Sequence, residues 1–213
     1  YFRMLMSMDL LNILFPGVNS GEYDALPVWE DGNLPWKILC SGESGIISQI
    51  LGLEDSVEGV FIHPTAKIGD FVEIEGPCYI GKNCEIRHSA FLRKGSWICD
   101  DSVVGHSSEI KNSILLPGSK APHFNYVGDS ILGFGVNLGA GTKLSNVRND
   151  HALVKVTMRD GSKIETGLKK MGSLVGNYAQ LGCNVVTNPG SILEPKAMVS
   201  PNITVSGWLE ARS

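Results

Sequence analysis

Charge is scarce in this chain. Only 19% of its 213 residues are charged, the net charge is −4, and Lys and Arg nowhere gather into a basic stripe. A nucleic-acid surface needs such a cluster to neutralise phosphates, so no nucleic-acid partner is expected. Long apolar runs are missing too. None approaches the ~20 residues that cross a bilayer. Residues 4–15 have the apolar character of a signal core. Asp9 and Asn12 interrupt them and no small-residue cleavage site follows, so they read as an amphipathic helix. Cysteine is sparse and odd in number: Cys40, Cys78, Cys84, Cys99 and Cys183, with no CxxC spacing. That argues against a disulfide scaffold or a cysteine zinc site, and it suits a reducing, cytoplasmic compartment.

What the chain does have is a beat of six. Ile62, Ile68, Ile74, Ile80, Ile86, Leu92, Ile98, Val104, Ile110 and Leu116 follow one another without a miss. Two residues before each stands a second column, mostly small: Ala66, Cys78, Cys84, Ala90, Ser96, Ser102 and Ser108 among them. A helix repeats at 3.6 residues and a strand at 2.0, and neither keeps a period of six for so long. A solenoid of very short strands does, with each hexapeptide forming one side of a coil. The beat restarts at Tyr126, Leu132, Leu138 and Leu144. It restarts again at Val175, Leu181, Thr187, Leu193, Val199 and Val205. The expected fold is therefore an all-β, three-sided parallel β-helix of six to seven coils over residues 59–207. Residues 208–213 form a tail.

Two gaps interrupt the beat. The first predicts a loop insertion near 117–125. The second holds two strand-like runs around Asp160-Gly161, which predicts a hairpin insertion near 150–172. Residues 1–58 lack the beat. Their Pro- and Trp-rich turns and the apolar stretch 46–51 predict a helix and loop cap over the first coil, where a solenoid end exposes unpaired edges.

The segments around the gaps are more specific than the repeat. His123-Phe-Asn-Tyr126-Val-Gly128-Asp129, Asn137-Leu-Gly139-Ala140-Gly141-Thr142 and Asn146-Val-Arg148-Asn-Asp150 stand close together. This set resembles the acetyltransferase half of the bifunctional N-acetylglucosamine-1-phosphate uridyltransferase/glucosamine-1-phosphate acetyltransferase. It resembles still more the carboxyl-terminal domains of archaeal-type sugar-1-phosphate nucleotidylyltransferases. The likeness covers roughly residues 60–207, and 34–39 is similar to the linker between the two halves of those enzymes. It implies a left-handed coil, although crossover connections are generally right-handed.

The resemblance also implies roles. His123 falls on the catalytic base, and an imidazole suits removal of a proton from a sugar ammonium near neutral pH. Tyr126 and Asn137 fall on sugar-binding positions. Arg93 and Lys111 fall on cations for the sugar phosphate. Ala140 and Asn146 fall where acetyl-CoA lies, and a backbone amide of the Gly139–Gly141 segment is a candidate oxyanion donor. The chain departs from the bifunctional pattern in several places. Val147 replaces a Tyr, and Ala152 stands where a Lys is expected, with Lys155 as the nearby substitute. At two cofactor positions stand Asn177 and Ser200. The chain stops at Ser213, so the coenzyme-binding arm is absent or reduced to Arg212. No Gly-rich nucleotidyltransferase signature precedes residue 59.

Asp70, His88 and His106, eighteen residues apart, stack on one corner, where ligation is geometrically possible. Zinc-binding β-helices place two ligands five residues apart. No His-x4-His occurs here, so no metal is expected. Two function classes follow. One is a coenzyme A-dependent N-acetyltransferase on an amino-sugar 1-phosphate, working as a homotrimer. The other is a non-catalytic trimerisation or regulatory partner of a separate nucleotidyltransferase.

Overall fold

A computed structural model describes residues 10–23, 25–32 and 34–211. Residues 4–9 of the expected amphipathic helix lie outside the described residues. Its last turn is helical at 10–14. A 3₁₀ turn, Pro35–Leu39, and a short helix α1, Ile46–Leu51, follow. Then come 24 strands, numbered from β1 (Val60–Ile62) to β24 (Trp208–Leu209).

All but two of these strands belong to three parallel sheets, one of eight strands and two of seven. The solenoid is a left-handed parallel β-helix. Register follows the coil: Ile62 lies beside Ile80, and Ile80 beside Ile98. Large aliphatics from every side meet inside, from Ile80 and Ile86 down to Val199 and Val205. The first sheet forms side one, the sheet that includes β11 (Lys120–His123) and β14 (Asn137–Leu138) forms side two, and the sheet that includes β12 (Tyr126–Gly128) forms side three. At the edge between sides two and three the chain turns through a left-handed residue in successive coils. Even Phe71 (φ 57°) and Phe124 (φ 51°) adopt that conformation, which bulky residues rarely do.

The solenoid has seven complete coils and the first side of an eighth, more than the beat gave. One uncounted side is β11. Its inward residue is Ala121, too small to register as an aliphatic beat. The other is β24. The expected loop at 117–125 is therefore absent: Lys120 pairs with Val103 and Asn137, and His123 with His106. Register slips by one residue on either side of β11. Leu115 and Val127 point inward in place of the expected Leu116 and Tyr126. Leu116 joins an outer cluster, and Tyr126 faces out of the coil.

The described N-terminal residues do not cap the first coil. Val57 is 75% and Phe71 88% exposed at that end. The N-terminal segment lies instead along the outer face of side one. There Phe61, Tyr79, Trp97, Ile114, Ile131, Leu174, Ile192 and Trp208 form one apolar column in register. Phe61, Tyr79 and Trp97 stack at 5.0 and 4.8 Å. Leu14, Phe15, Trp36, Ile46 and Ile50 bury against this column. A whole sheet face removes far more apolar area from water than one coil end, which is why the segment lies there. The hairpin β16 (Lys155–Thr157) and β17 (Lys163–Glu165) adds Val154, Val156 and Ile164 to the same cluster.

Cys78, Cys84 and Cys99 are fully buried. Burial pushes the Cys78 thiol up to about 12 and the Cys84 thiol to about 11. Unfolded thiols lose their protons near pH 9, and the folded ones hold theirs. Stability therefore falls as pH rises from about 9 towards 11–12, by about 1.4 kcal/mol per pH unit for each thiol. Cys78→Ala, at a position whose column also holds Ala66 and Ala90, removes one of these contributions. Urea midpoints between pH 8 and pH 10.5 should decline less steeply in the variant than in the parent. Equal slopes would refute this assignment.

Candidate functional site

His123 sits at the end of β11, on the edge between sides two and three, with its side chain exposed. It ends a strand rather than riding on a protruding loop. Asn125, buried to 2%, holds this corner: its Oδ1 accepts the His123 backbone N–H at 2.9 Å and its Nδ2 donates to the Gly139 carbonyl at 2.8 Å. His88 and His106 precede His123 in the same edge column. Their rings stack at 4.1 Å, and the next contact is His106 edge-on to Phe124 at 5.1 Å. Stacked faces do not converge nitrogens on a point. Among the described residues no group of three His, Cys, Asp or Glu side chains is placed to hold a metal.

Side three carries the second cluster. Arg93 pairs with Glu109 at 2.8 Å and lies 3.8 Å from Glu75. The hydrogen bond to Glu109 raises its already high pKa further. Lys111 meets Asp129 at 2.9 Å, where the side chains retain only 15% and 6% exposure. Asp129 also accepts from Asn112 Nδ2 at 2.9 Å and from Asn146 Nδ2. The Tyr126 phenol lies beside the Asn146 amide. Burial first, then the Glu109 carboxylate, keeps that phenol protonated beyond its usual range. Gly128 makes room for the arrangement. A Cβ there would meet Asn146 Nδ2 at 2.6 Å and the Tyr126 hydroxyl at 2.7 Å. Gly128→Ala should therefore displace both groups. The expected outcome is a loss of about 1 kcal/mol, roughly one good hydrogen bond. Urea midpoints of parent and variant would check it.

The residues expected from sequence thus fall on two sides. His123, Asn137, Ala140 and Ser200 belong to side two and its edge. Asn137 lies outward in register between Lys120 and Gln180. Gly141 N–H donates to the His123 carbonyl, which puts the Ala140 turn directly below His123. Arg93, Lys111, Tyr126 and Asn146 belong to side three and its far edge.

Asn177 joins neither group. Its Oδ1 accepts from Phe134 N–H, and its N–H and Nδ2 donate to the Leu14 and Pro16 carbonyls at 3.0 Å, so its side chain is used in fastening the N-terminal segment. Lys155 stands on the hairpin, 2.8 Å from Glu165, where it lines a cleft beyond Asn146. Sequence reasoning passed over Glu109, Asn125, Gly128 and Asp129 as site residues. Gly128 and Asp129 stand in the quoted motif. The partners of Glu109 and Asp129, at separations of 16 and 18, become visible only once the coil length is known.

The model for the GMPPB C-terminal domain matches residues 74–209. A bifunctional sugar-1-phosphate nucleotidylyltransferase/acetyltransferase of Sulfurisphaera tokodaii is 37% identical over 87% of this chain and 47% of its own length. A bifunctional protein GlmU of Methanococcus aeolicus is 30% identical over 87% of this chain and 46% of its own. The chain spans about half the length of these curated relatives. The solved UDP-N-acetylglucosamine acyltransferase of Arabidopsis has a TM-score of 0.39 at 15% identity, with coverage of 70% of this chain and 57% of that one. At that level of likeness no role is transferred from it.

Proposed function

The chain belongs to the GMPPB C-terminal domain family, and from that premise we propose that it is a coenzyme A-dependent N-acetyltransferase acting on an amino-sugar 1-phosphate of the glucosamine-1-phosphate type. The observation that carries this reading is the pairing of an exposed histidine corner with a polar cluster on the adjoining side, buried around Lys111 and Asp129 and open around Arg93. The cluster holds three carboxylates, Glu75, Glu109 and Asp129, against two cations, Arg93 and Lys111. A phosphate can take Arg93, which is partly exposed. The surplus negative charge suits the ammonium of an amino sugar.

His123 removes a proton from that ammonium. The freed nitrogen attacks the thioester carbon, the carbon–sulfur bond breaks, the departing thiolate takes the proton held by His123, and the second proton of the nitrogen passes to His123 and on to solvent. Tyr126 and Asn137 position the sugar, and Asn146 beside them faces the coenzyme. The developing oxyanion needs a fixed N–H donor. Gly139 and Gly141 N–H are already bonded, to the Leu181 and His123 carbonyls. Ala140 N–H is the donor that the segment has left.

The two half-sites favour a homotrimer. Side one is covered by the N-terminal segment and the hairpin, whereas sides two and three are bare among the described residues. Three copies arranged in a closed ring, side two of each against side three of the next, bring His123, Asn137, Ala140 and Ser200 to the Tyr126 cluster. Buried, unpaired cysteines fit a cytoplasmic setting. The test is thiol release from acetyl-CoA by purified protein offered glucosamine-1-phosphate, galactosamine-1-phosphate or glucose-1-phosphate. Release that needs the amino group supports the reading and gives the epimer. Release with none of them, from folded trimeric protein, returns the chain to a non-catalytic partner role.

A further inference from the structure

Beyond Asn146, along side three, lies a cleft of about 640 Å³, of whose lining only Lys155 has been given a role above. Its floor is the outward column Ser145, Asn188 and Ser206. One wall is the hairpin. The hairpin alternates strictly: Val156 and Ile164 face the apolar cluster, and the opposite face turns Lys155, Thr157 and Lys163 into the cleft. Arg148, anchored at 2.8 Å by Asp150, closes the end nearest Asn146. Lys155 is neutralised by Glu165. Lys163 has no carboxylate against it among the described residues.

We propose that this cleft is a nucleoside-diphosphate subsite, holding the ADP end of coenzyme A while the thioester reaches the Tyr126 cluster. The choice of ligand rests on the acetyl-transfer reading above. The volume falls in the range of small-molecule sites. Lys163 supplies an unspent point charge for phosphate, and Arg148, whose Nε and Nη2 are held by Asp150, keeps Nη1 for it. Hydroxyls and an amide on the floor and wall (Ser145, Thr157, Asn188, Ser206) match a ribose. Ser145 and Val147 line the cleft on either side of Asn146 in sequence, so a ligand here opens directly onto the sugar cluster. The same chemistry exists in a nucleotide sugar. The inserted hairpin then supplies the phosphate grip.

Calorimetric titration of the whole chain with coenzyme A and, separately, with UDP tests this without turnover. Lys163→Glu reverses an exposed charge and leaves the fold intact. It should weaken coenzyme A binding by about tenfold or more, and Arg148→Ala should weaken it in the same direction. UDP bound with the same dependence, and coenzyme A not, assigns the cleft to a nucleotide sugar and overturns the donor assignment. Affinity for coenzyme A unchanged by Lys163→Glu, or no binding of either compound, overturns the subsite. The two proposals fail separately. Acetyl transfer with an unaltered coenzyme KM in Lys163→Glu sinks only this one. Lys163-dependent coenzyme binding without transfer to any amino sugar sinks only the acetyltransferase.

Discussion

His123→Ala is expected to lower kcat for acetyl transfer by about 10²- to 10⁴-fold, the usual contribution of a positioned general base. The melting temperature should hardly move. His123 is exposed, and the anchor of its corner, the bond from its backbone N–H to Asn125, survives the change to alanine. Substitutions at such surface positions are usually worth less than ~0.5 kcal/mol. The loss should shrink as pH rises, because part of the amino-sugar substrate is then deprotonated in solution and needs no base. Rates of parent and variant between pH 6.5 and pH 9, with a parallel thermal melt, check both points. A variant that keeps most of its activity, or that loses activity only by unfolding, would remove His123 from the chemistry.

Asp129→Asn should have the largest effect on stability of any change at the site. Asp129 accepts hydrogen bonds from Lys111, Asn112 and Asn146, and it sits at a left-handed corner with φ of 46°. Asparagine tolerates that backbone, so strain is not the issue. The variant leaves the Lys111 ammonium without its counter-charge and sets an amide donor against two others. Removing one partner of a buried ion pair costs about 3–5 kcal/mol. The 15% exposure left to Lys111 puts this case at the low end. Denaturant unfolding should show a loss of roughly 3 kcal/mol. The KM for the sugar phosphate should rise with it, because Asn112 also ties this corner to the Leu39 carbonyl of the N-terminal segment. A loss under ~0.5 kcal/mol, the range of a surface substitution, would mean that the network contributes little.

Much of the fold could be read before any coordinates. The regular beat from Ile62 to Ile110 specifies the coil because inward aliphatics recur with no competing neighbour. It fails at β11, where Ala121 is too small to mark a side. The adjacent Leu115 and Leu116 are equally apolar, so sequence cannot tell which one points in. The covering of side one was obscured for a different reason. Its aromatic column, Phe61 to Tyr79 to Trp97, repeats once per coil and not once per side, and it lies between two inward positions that mask it. Within the site, His123, Tyr126, Asn137 and Asn146 stood out through their motifs. Asn177 was misread because its partners, Leu14 and Pro16, lie more than 160 residues upstream. Arg93 and Lys111 looked like free cations until the coil brought Glu109 and Asp129 beside them.

The central claim is that this β-helix moves an acetyl group onto the nitrogen of an amino-sugar phosphate. The most direct measurement is the mass and fragmentation of glucosamine-1-phosphate recovered after incubation with acetyl-CoA and the purified chain. The account predicts a gain of one acetyl group on nitrogen, absent when His123→Ala replaces the parent. Sugar phosphate recovered unmodified from folded, trimeric protein, with galactosamine-1-phosphate equally untouched, would contradict it.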